Sequence, residues 1–409
     1  CRGAIENFDN SVEIKRHIIQ ENIYGVDLEK GAVDIARLRF WLTLVVDEVS
    51  PEVLPNLDYK IMQGNSLFTT FNGKYLNISD TQQHKNIAKI RNKKAELSIK
   101  QKQFFEQTGD SKHRTGIEIN KIILDIIALQ LGHELEAWAN SGVQGALFEE
   151  GKDSVVSMQR IKETLTGEKK SVIELGEQLR NTLNNDSLSL EERAKTDLRF
   201  FDWKVMYSDV FENGGFDIVI GNPPYGAKLT VEDKAIIKKF YNTSVTKPMD
   251  RNKDRVYIHS LGFEQEPNLP KVKGSTDTYT LFIELAYWLL KKDAFMSYIV
   301  PISLTSSDAS SGVQKLLIEK CRGVKVSSYS VRPQPVFKNA VVNTSILMFQ
   351  KTLTPCEQLL STKMHRRSDE FNLQTLVDNL QFIDVRDNLK LGRIPKIGLQ
   401  IEKDILNKL

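Results

Sequence analysis

Cysteine and histidine are scarce in this 409-residue sequence, and neither forms a recognisable ligand cluster. The three cysteines, Cys1, Cys321 and Cys356, are too widely spaced for a Cys-x-x-Cys pair and too few for a disulfide framework. The six histidines include no His-Glu-x-x-His pattern. We therefore expect no metal site, no disulfide scaffold and a reducing compartment, the cytoplasm.

Long apolar runs are also missing. The longest covers residues 281–290, contains Glu284 and ends at Lys291, so it is too short to cross a bilayer. Residues 1–10 lack the pattern of a signal peptide and do not begin with Met, which leads us to expect a fragment that starts partway into a domain. The formal net charge of +3 is compatible with a polyanionic partner but does not indicate one.

Strand and helix patterns alternate on both sides of a polar central region. Residues 22–68 read as strand, helix and strand, and the segment "NIYGVDL" ends the first strand on an acid. Strand signals resume at residues 216–220, "FDIVI", and continue through "AFMSYIVP", "VKVSSYSV" and "AVVNTSILMFQK". This alternation favours an α/β fold with a largely parallel sheet.

The central region, residues 78–198, is rich in Lys, Glu, Gln and Asn and has helical periodicity. Its apolar residues recur every three or four positions, as at Ile123, Ile127 and Leu131. We predict a helical insertion that forms an antiparallel hairpin. The predicted parts are the first half of the α/β domain (1–77), the insertion (78–198), the second half (199–355) and a tail that leads to a further module (356–409).

The segment "NPPY", Asn222 to Tyr225, directly follows an apolar strand. A side-chain amide oxygen and a proline carbonyl with fixed φ can each accept an N–H from an exocyclic amino group. Such bonds draw the nitrogen towards tetrahedral geometry and free its lone pair for attack on a methyl group, while an aromatic ring holds the target base. The alternative is a proline turn after a strand; we favour the site because the four-residue pattern is specific.

Two other strand ends carry polar residues of the kind that bind nucleosides. Asp27 could accept both ribose hydroxyls, or it could cap the following helix. Asn65, in "QGNSLF", could pair with an adenine edge, or it could simply form a turn. In doubly wound sheets ligands lie outside the carboxyl ends of strands, so these residues and Asn222 are candidates for one site.

These segments resemble the motifs of the amino-group nucleic acid methyltransferases. "FDIVIGNPPY" resembles motif IV, "YGVDLEKGAVDIARLRFWL" motif II and "QGNSLF" motif III, while "VFKNAVVNTSILMFQK" is similar to the late motif that closes the domain. The order of motifs is similar to the gamma-class N6-adenine DNA methyltransferases, and among them to type IIG restriction–modification enzymes. The resemblance implies a class I (Rossmann-like) methyltransferase sheet, with helices on both faces and an antiparallel strand near its edge.

The resemblance also implies roles for individual residues. S-adenosylmethionine would be bound by Asp27, Asn65, Ser66 and Phe282. The catalytic motif would be Asn222, Pro223, Pro224 and Tyr225, in which Asn222 and Pro223 bind the target adenine and Tyr225 stacks on the flipped base, with Phe337 facing the base from the other side. Double-stranded DNA is the implied partner, and nuclease and target-recognition modules are implied elsewhere in the parent chain.

The glycine-rich loop of motif I is not found before Asp27, and position 65 is Asn where many relatives carry Asp. We therefore expect this piece alone to bind the cofactor weakly or not at all. Two alternatives remain open: an RNA or protein-glutamine amino methyltransferase, and a non-catalytic DNA-binding fragment. The basic run 89–102 is either a DNA contact or a solvated helix face, whereas Lys228 and Lys247 are better candidates for backbone contacts.

Overall fold

The computed structural model describes residues 11–46, 57–76, 86–142, 167–333, 335–337, 341–366 and 373–408. The chain divides into two compact units, one up to Asp209 and one from Val210 onward. The opening segment 1–10 lies outside the described residues.

The first unit begins with a small α/β element. Helix α1 (Ser11–His17) continues into a π-helical turn (Ile18–Asn22) and is followed by strand β1 (Gly25–Asp27), helix α2 (Lys30–Val45) and strand β2 (Ile61–Gln63). β1 and β2 are parallel and pair Asp27 with Gln63. Their core consists of buried aliphatic side chains, namely Ile19, Val33, Leu44, Leu57 and Ile61. The predicted strand–helix–strand order is therefore present, with short strands.

The polar central region is helical where it is described. Its helices are α3 (Ile87–Glu106), α4 (Gly109–Gly142), α5 (Gly167–Asn184) and α6 (Leu190–Ala194). Two ion pairs join α3 to α4, Lys93 to Asp125 at 3.2 Å and Lys100 to Glu118 at 2.6 Å, so the two helices run antiparallel. Apolar side chains at helical spacing fill the space between them, including Leu97, Ile119, Ile123 and Ile126.

A three-stranded antiparallel sheet contains the strands on both sides of this helical region in the sequence. Strand β3 (Thr70–Phe71) pairs on one side with β4 (Lys74–Tyr75) and on the other with β5 (Phe200–Phe201), both antiparallel. Short helices α7 (Trp203–Met206) and α8 (Ser208–Glu212) follow β5. The chain thus enters the helical region from β4 and returns from it to β5, on the opposite side of β3 in the same sheet.

The second unit is built on a six-stranded mixed sheet. Its strands are β6 (Phe216–Gly221), β9 (Leu290–Pro301), β10 (Cys321–Tyr329), β11 (Thr344–Lys351), β12 (Leu359–His365) and β13 (Ile383–Asp384), and their spatial order is β13-β12-β10-β11-β9-β6. The pairs β6–β9 and β10–β12 are parallel, while β11 is antiparallel to both of its neighbours. The predicted mixed α/β fold class is confirmed. The antiparallel β11 lies inside the sheet because β10, β12 and β13 extend beyond it.

Helices and a small hairpin surround this sheet. They are α9 (Val231–Phe240), a 3-10 turn (Asn242–Ser244), strands β7 (Lys247–Pro248) and β8 (Lys271–Val272), α10 (Arg255–Ser260), α11 (Thr278–Leu289), α12 (Ser303–Ser306), α13 (Ser311–Lys320), α14 (Leu373–Asp378) and α15 (Gln400–Leu406). Helix α11 is buried along most of its length, Glu284 included. Within the described residues, no helix is long and apolar enough to cross a membrane.

Candidate active site

The carboxyl ends of β1 and β2 lie side by side in the first unit. The backbone N–H of Gly64 donates to the carbonyl oxygen of Asp27 at 2.9 Å, which places the turn after β2 beside the acid at the end of β1. The Asp27 side chain is exposed, and its Oδ1 accepts the N–H of Glu29 at 2.8 Å. This bond forms a turn ahead of helix α2 and reaches none of the N–H groups of the helix, which begins at Lys30 with Glu29 as its N-cap residue, so the helix-capping alternative for Asp27 is wrong. Within the described residues the other oxygen has no partner.

Asn65 begins a turn that its own side chain stabilises. Its Oδ1 accepts the N–H of Leu67 at 2.9 Å, which is the local bond of an Asx turn. The alternative that Asn65 forms a turn is therefore realised. The bond occupies one lone pair of the amide oxygen and leaves the Nδ2 group as a donor. Asn65 and Ser66 are both half-buried.

Residues 201–203, which follow the helical region, stabilise this turn through side-chain contacts. The indole N–H of Trp203 donates to the carbonyl of Ser66 at 2.9 Å, and the hydroxyl of Thr69 donates to Asp202 at 2.5 Å. Gly64 is required here because a Cβ at this position would lie 2.3 Å from the Cβ of Phe201. These contacts could not be predicted from the sequence, because the two segments are more than 130 positions apart.

In the second unit the Asn-Pro-Pro-Tyr segment directly follows β6, which ends at Gly221. Asn222 is exposed, Pro223 is buried and Pro224 is exposed. Gly226 has φ +69°, a conformation that glycine adopts without strain, and this residue ends the turn. The amide of Asn222 therefore faces solvent at the carboxyl end of a parallel strand, where sheets of this class bind ligands.

Three hydrogen bonds fix the rest of the turn to the unit. The hydroxyl of Thr278, a buried residue at the start of α11, donates to the carbonyl of Pro224 at 2.6 Å and accepts the N–H of Ala227 at 3.3 Å. The hydroxyl of Tyr225 donates to the carbonyl of Ile299 at 3.0 Å. Burial raises the pKa of the Tyr225 hydroxyl to about 12, so it is a donor at neutral pH. The Tyr225 ring is half-buried and held at both of its ends.

The remaining predicted residues of the second unit are Phe282 and Phe337. Phe282, on α11, is half-buried and packs against the hydrophobic core, so part of its ring already has a structural role. Phe337 is half-buried and lies in a short described piece, residues 335–337. Their roles towards cofactor and base stay predictions.

The buried carboxylate of Glu284 accepts hydrogen bonds from the segment that follows helix α9. Glu284 accepts the N–H groups of Asn242 and Thr243 at 3.0 and 2.8 Å and the hydroxyl of Thr243 at 2.6 Å. These bonds satisfy a charge that would otherwise be costly to bury. They fix the 3-10 turn between α9 and the hairpin that carries Lys247, whose Nζ donates to Asn242 at 3.1 Å. Lys228 and Lys247 are both exposed.

The basic run at residues 89–102 serves the packing of the helical region. Lys93 contacts both Glu96 and Asp125, and Lys100 contacts Glu118. Lys94 is buried. These contacts favour the structural interpretation of the run over a DNA contact. Within the described residues no cluster of three His, Cys, Asp or Glu side chains could hold a metal ion.

Two proteins of similar sequence are both described as type II restriction enzymes and methyltransferases. A type II restriction enzyme and methyltransferase of Escherichia coli is 28% identical over 160 residues, which cover 36% of this chain and 13% of that protein. A Methanocaldococcus jannaschii protein that is named as a type II restriction enzyme and methyltransferase is 25% identical over 367 residues, covering 85% of this chain and 27% of its own length. The chain thus spans about a quarter or less of these relatives.

Among solved structures, a modification subunit of a type I restriction enzyme from Vibrio vulnificus matches 96% of both chains at 10% identity, with a TM-score of 0.30. At this score the superposition assigns no role to any residue. Residues 21–337, well over half of the chain, match the family described as Eco57I restriction-modification methylase. The chain therefore belongs to the Eco57I restriction-modification methylase family.

Proposed function

We propose that this chain is the modification part of a restriction–modification enzyme and transfers a methyl group from S-adenosylmethionine to the N6 amino group of adenine in double-stranded DNA. One observation carries the proposal: Asn222 is exposed at the carboxyl end of a parallel strand, on a turn that Thr278 and Tyr225 hydrogen-bond to the unit. Family membership supports the same conclusion.

The residues of the first unit fit the adenosine end of the cofactor. Asp27 has a carboxylate oxygen without a partner in the described structure, and a carboxylate suits the paired hydroxyls of a ribose. Asn65 retains the donors of its amide group, and Ser66 lies in the same turn. Phe282 would contribute an apolar wall. The cofactor, when bound, supplies an electrophilic sulfonium methyl group.

The chain's own residues would make the target nitrogen reactive. The Asn222 amide oxygen and the Pro223 carbonyl would each accept an N–H of the adenine amino group, which frees the nitrogen lone pair. The cofactor would supply the methyl group and keep the electron pair of the C–S bond on sulfur, and the methylated nitrogen would lose one proton to solvent. No strong base is needed, so positioning provides most of the rate enhancement.

A base flipped out of the duplex loses its stacking partners and needs replacements. Tyr225 would provide one aromatic surface, and the bond from its hydroxyl to Ile299 fixes the tilt of the ring. Phe337 would provide the other. Ring stacking by such residues is worth about 1–3 kcal/mol per base.

The test is methylation of duplex DNA by the protein at its natural length, with radiolabelled S-adenosylmethionine and identification of the methylated nucleoside. Asn222→Ala should abolish formation of N6-methyl-2′-deoxyadenosine and leave DNA binding intact. Asn252→Ala is the matched control, because Asn252 is exposed in the same unit and its side chain makes no hydrogen bond in the described structure. Unchanged methylation by Asn222→Ala would refute the assignment.

The alternatives give different outcomes in the same assay. A label that enters RNA or a glutamine-containing protein instead of DNA would identify another amino acceptor for the same chemistry. DNA binding without methylation of any substrate would identify a non-catalytic DNA-binding piece. The exposed Lys228 and Lys247 near the turn favour a polyanionic substrate over a protein.

The relatives are several times longer than this chain. We propose that a nuclease and a target-recognition module accompany the methyltransferase part in the parent protein, as in type IIG enzymes. Expression of that protein should then give both cleavage and methylation of the same DNA sequence. Methylation without any cleavage activity would remove the nuclease from this proposal.

A further inference from the structure

A cleft of about 680 Å³ opens in the first unit at the end of β2. Leu28, Gln63 and Asn65 line one side of it, and Lys112, His113 and Asn120 of helix α4 line the other. Its volume lies within the range of about 300–1,000 Å³ that is typical of small-molecule sites. The cleft therefore joins the turn at Asn65 to the helical region.

The α4 side of the cleft presents polar groups suited to a neutral heterocycle. Lys112 and His113 are half-buried, and the Nζ of Lys112 lies 4.9 Å from the centroid of the Phe104 ring. His113 has no hydrogen-bond partner within the described residues. Asn120 uses its Nδ2 to donate to the carbonyl of Thr196 at 3.0 Å, which leaves its amide oxygen as an acceptor.

Two of the cations that line the cleft already have carboxylate partners. Lys195 pairs with Glu191 at 2.5 Å, and Arg199 pairs with Asp197 at 3.1 Å. A polyphosphate would need several free cations, so these two pairs disfavour it. Apolar side chains also line the cleft, among them Leu28 and Ile123, and Leu28 is 63% exposed although it directly follows Asp27. An apolar ring with donors and acceptors on its edge fits these surroundings better than an anion.

We propose that helix α4 forms one wall of the cofactor pocket and that Lys112 and His113 contact the adenosine end of S-adenosylmethionine opposite Asn65. This inference rests on the proposed function and gives the helical region a binding role in addition to its packing. Lys112 and His113 donate to the ring nitrogens or ribose oxygens, while Asn65 donates from the other side. Affinity for adenosine then depends on residues that lie outside the α/β part of the unit.

The test measures the dissociation constants of S-adenosylhomocysteine and of adenosine by calorimetry, on the protein at its natural length. His113→Ala and Lys112→Met should each weaken both ligands by about threefold to tenfold, as expected for the loss of one hydrogen bond. Lys112→Met keeps an unbranched apolar side chain over the Phe104 ring, so it removes the donor with little change in packing. Thermal melting of each variant verifies that it is folded.

Arg114→Ala is the matched control, because Arg114 is an exposed cation on the same helix and does not line the cleft. It should leave both dissociation constants unchanged. Unchanged affinity in both His113→Ala and Lys112→Met would overturn the inference, as would a loss confined to S-adenosylhomocysteine. Asp27→Ala separates the two proposals: if it weakens S-adenosylhomocysteine while the α4 variants do not, only the role of α4 fails. If Asp27→Ala has no effect, the cofactor site of the proposed function fails.

Discussion

The hydroxyl of Thr278 donates to the carbonyl oxygen of Pro224 at 2.6 Å, and it accepts the N–H of Ala227 at 3.3 Å. One buried side chain at the start of α11 thus joins the two sides of the turn that carries Asn222 and Tyr225. The turn has no regular secondary structure of its own to keep its shape. Its geometry therefore depends on this threonine.

Thr278→Val keeps the shape of the side chain and removes both hydrogen bonds. We expect kcat for DNA methylation to fall by about threefold to tenfold, because the net value of a hydrogen bond is about 0.5–1.5 kcal/mol. The KM for DNA should change little, since Thr278 acts through the turn. Steady-state kinetics of Thr278→Val and Thr278→Ser provide the measurement. Thr278→Ser retains the hydroxyl and should recover most of the lost kcat; equal losses in both variants would contradict the role of the hydroxyl.

Tyr225 should make stability depend on pH in the alkaline range. Burial raises its pKa in the folded protein from 10.0 to about 12. The folded protein holds the proton of this hydroxyl more tightly than the unfolded chain does. The resulting stabilisation is complete below pH 10 and is lost as the pH rises from 10 to about 12. Urea unfolding of the wild type and Tyr225→Phe at pH 8 and pH 11 should show a difference in free energy of unfolding that shrinks at the higher pH. A constant difference would mean that the hydroxyl is not held in a buried site.

Gly64→Ala should destabilise the first unit. The new Cβ would meet the Cβ of Phe201 at 2.3 Å, and neither the end of β2 nor β5 can move without breaking its pairing. We expect a loss of about 1–3 kcal/mol in the free energy of unfolding, as for other overpacked sites. Gly176→Ala is the control, because its Cβ would meet nothing within 4 Å in helix α5 and should stabilise by about 0.5–1 kcal/mol. Urea unfolding that shows no difference between the two variants would refute the close contact.

DNA binding should depend on the lysines near the turn and not on the basic run in α3. Lys228→Ala and Lys247→Ala should each lower the slope of log affinity against log salt by about one, because each lysine would neutralise one phosphate. Lys93→Ala and Lys100→Ala should leave the slope unchanged, since these side chains pair with Asp125 and Glu118. Fluorescence anisotropy with labelled duplex DNA at several salt concentrations gives the slopes. A lower slope for Lys93→Ala and Lys100→Ala, with no change for Lys228→Ala and Lys247→Ala, would indicate that DNA binds to the helical region.

Much of this arrangement could be predicted because its signals are local. The alternation of strand and helix around Asp27, and the strand before Asn222, follow from patterns of five to ten residues that the chain realises as short elements. A local role for Asp27 and Asn65 was the alternative that each position offered, and the structure shows each side chain accepting the N–H of the residue two positions further on. The second oxygen of Asp27 and the amide donors of Asn65 stay available to a ligand, so the local bond does not exclude the binding role.

The contacts that fix the site could not be predicted from the sequence. Thr278 stands among apolar residues of a helix, and its partners Pro224 and Ala227 are more than 50 positions away. Trp203 reads as an ordinary core aromatic, although its indole N–H fixes the carbonyl of Ser66. The distance of β11 from the edge of the sheet was also beyond prediction, because the polar tail adds β12 and β13 beyond β10. Single hydrogen bonds between distant segments leave no periodic pattern.

The pairing of β3 with β5 has a consequence for how such proteins diversify. Because β3 holds both ends of the helical region, β4 on one side and β5 on the other, a longer or shorter region between Tyr75 and Phe200 would leave both ends where they are. Lengthening a loop adds only a slowly growing entropic cost. Insertions or deletions outside the part of α4 that lines the cleft would therefore leave the three-stranded sheet in place.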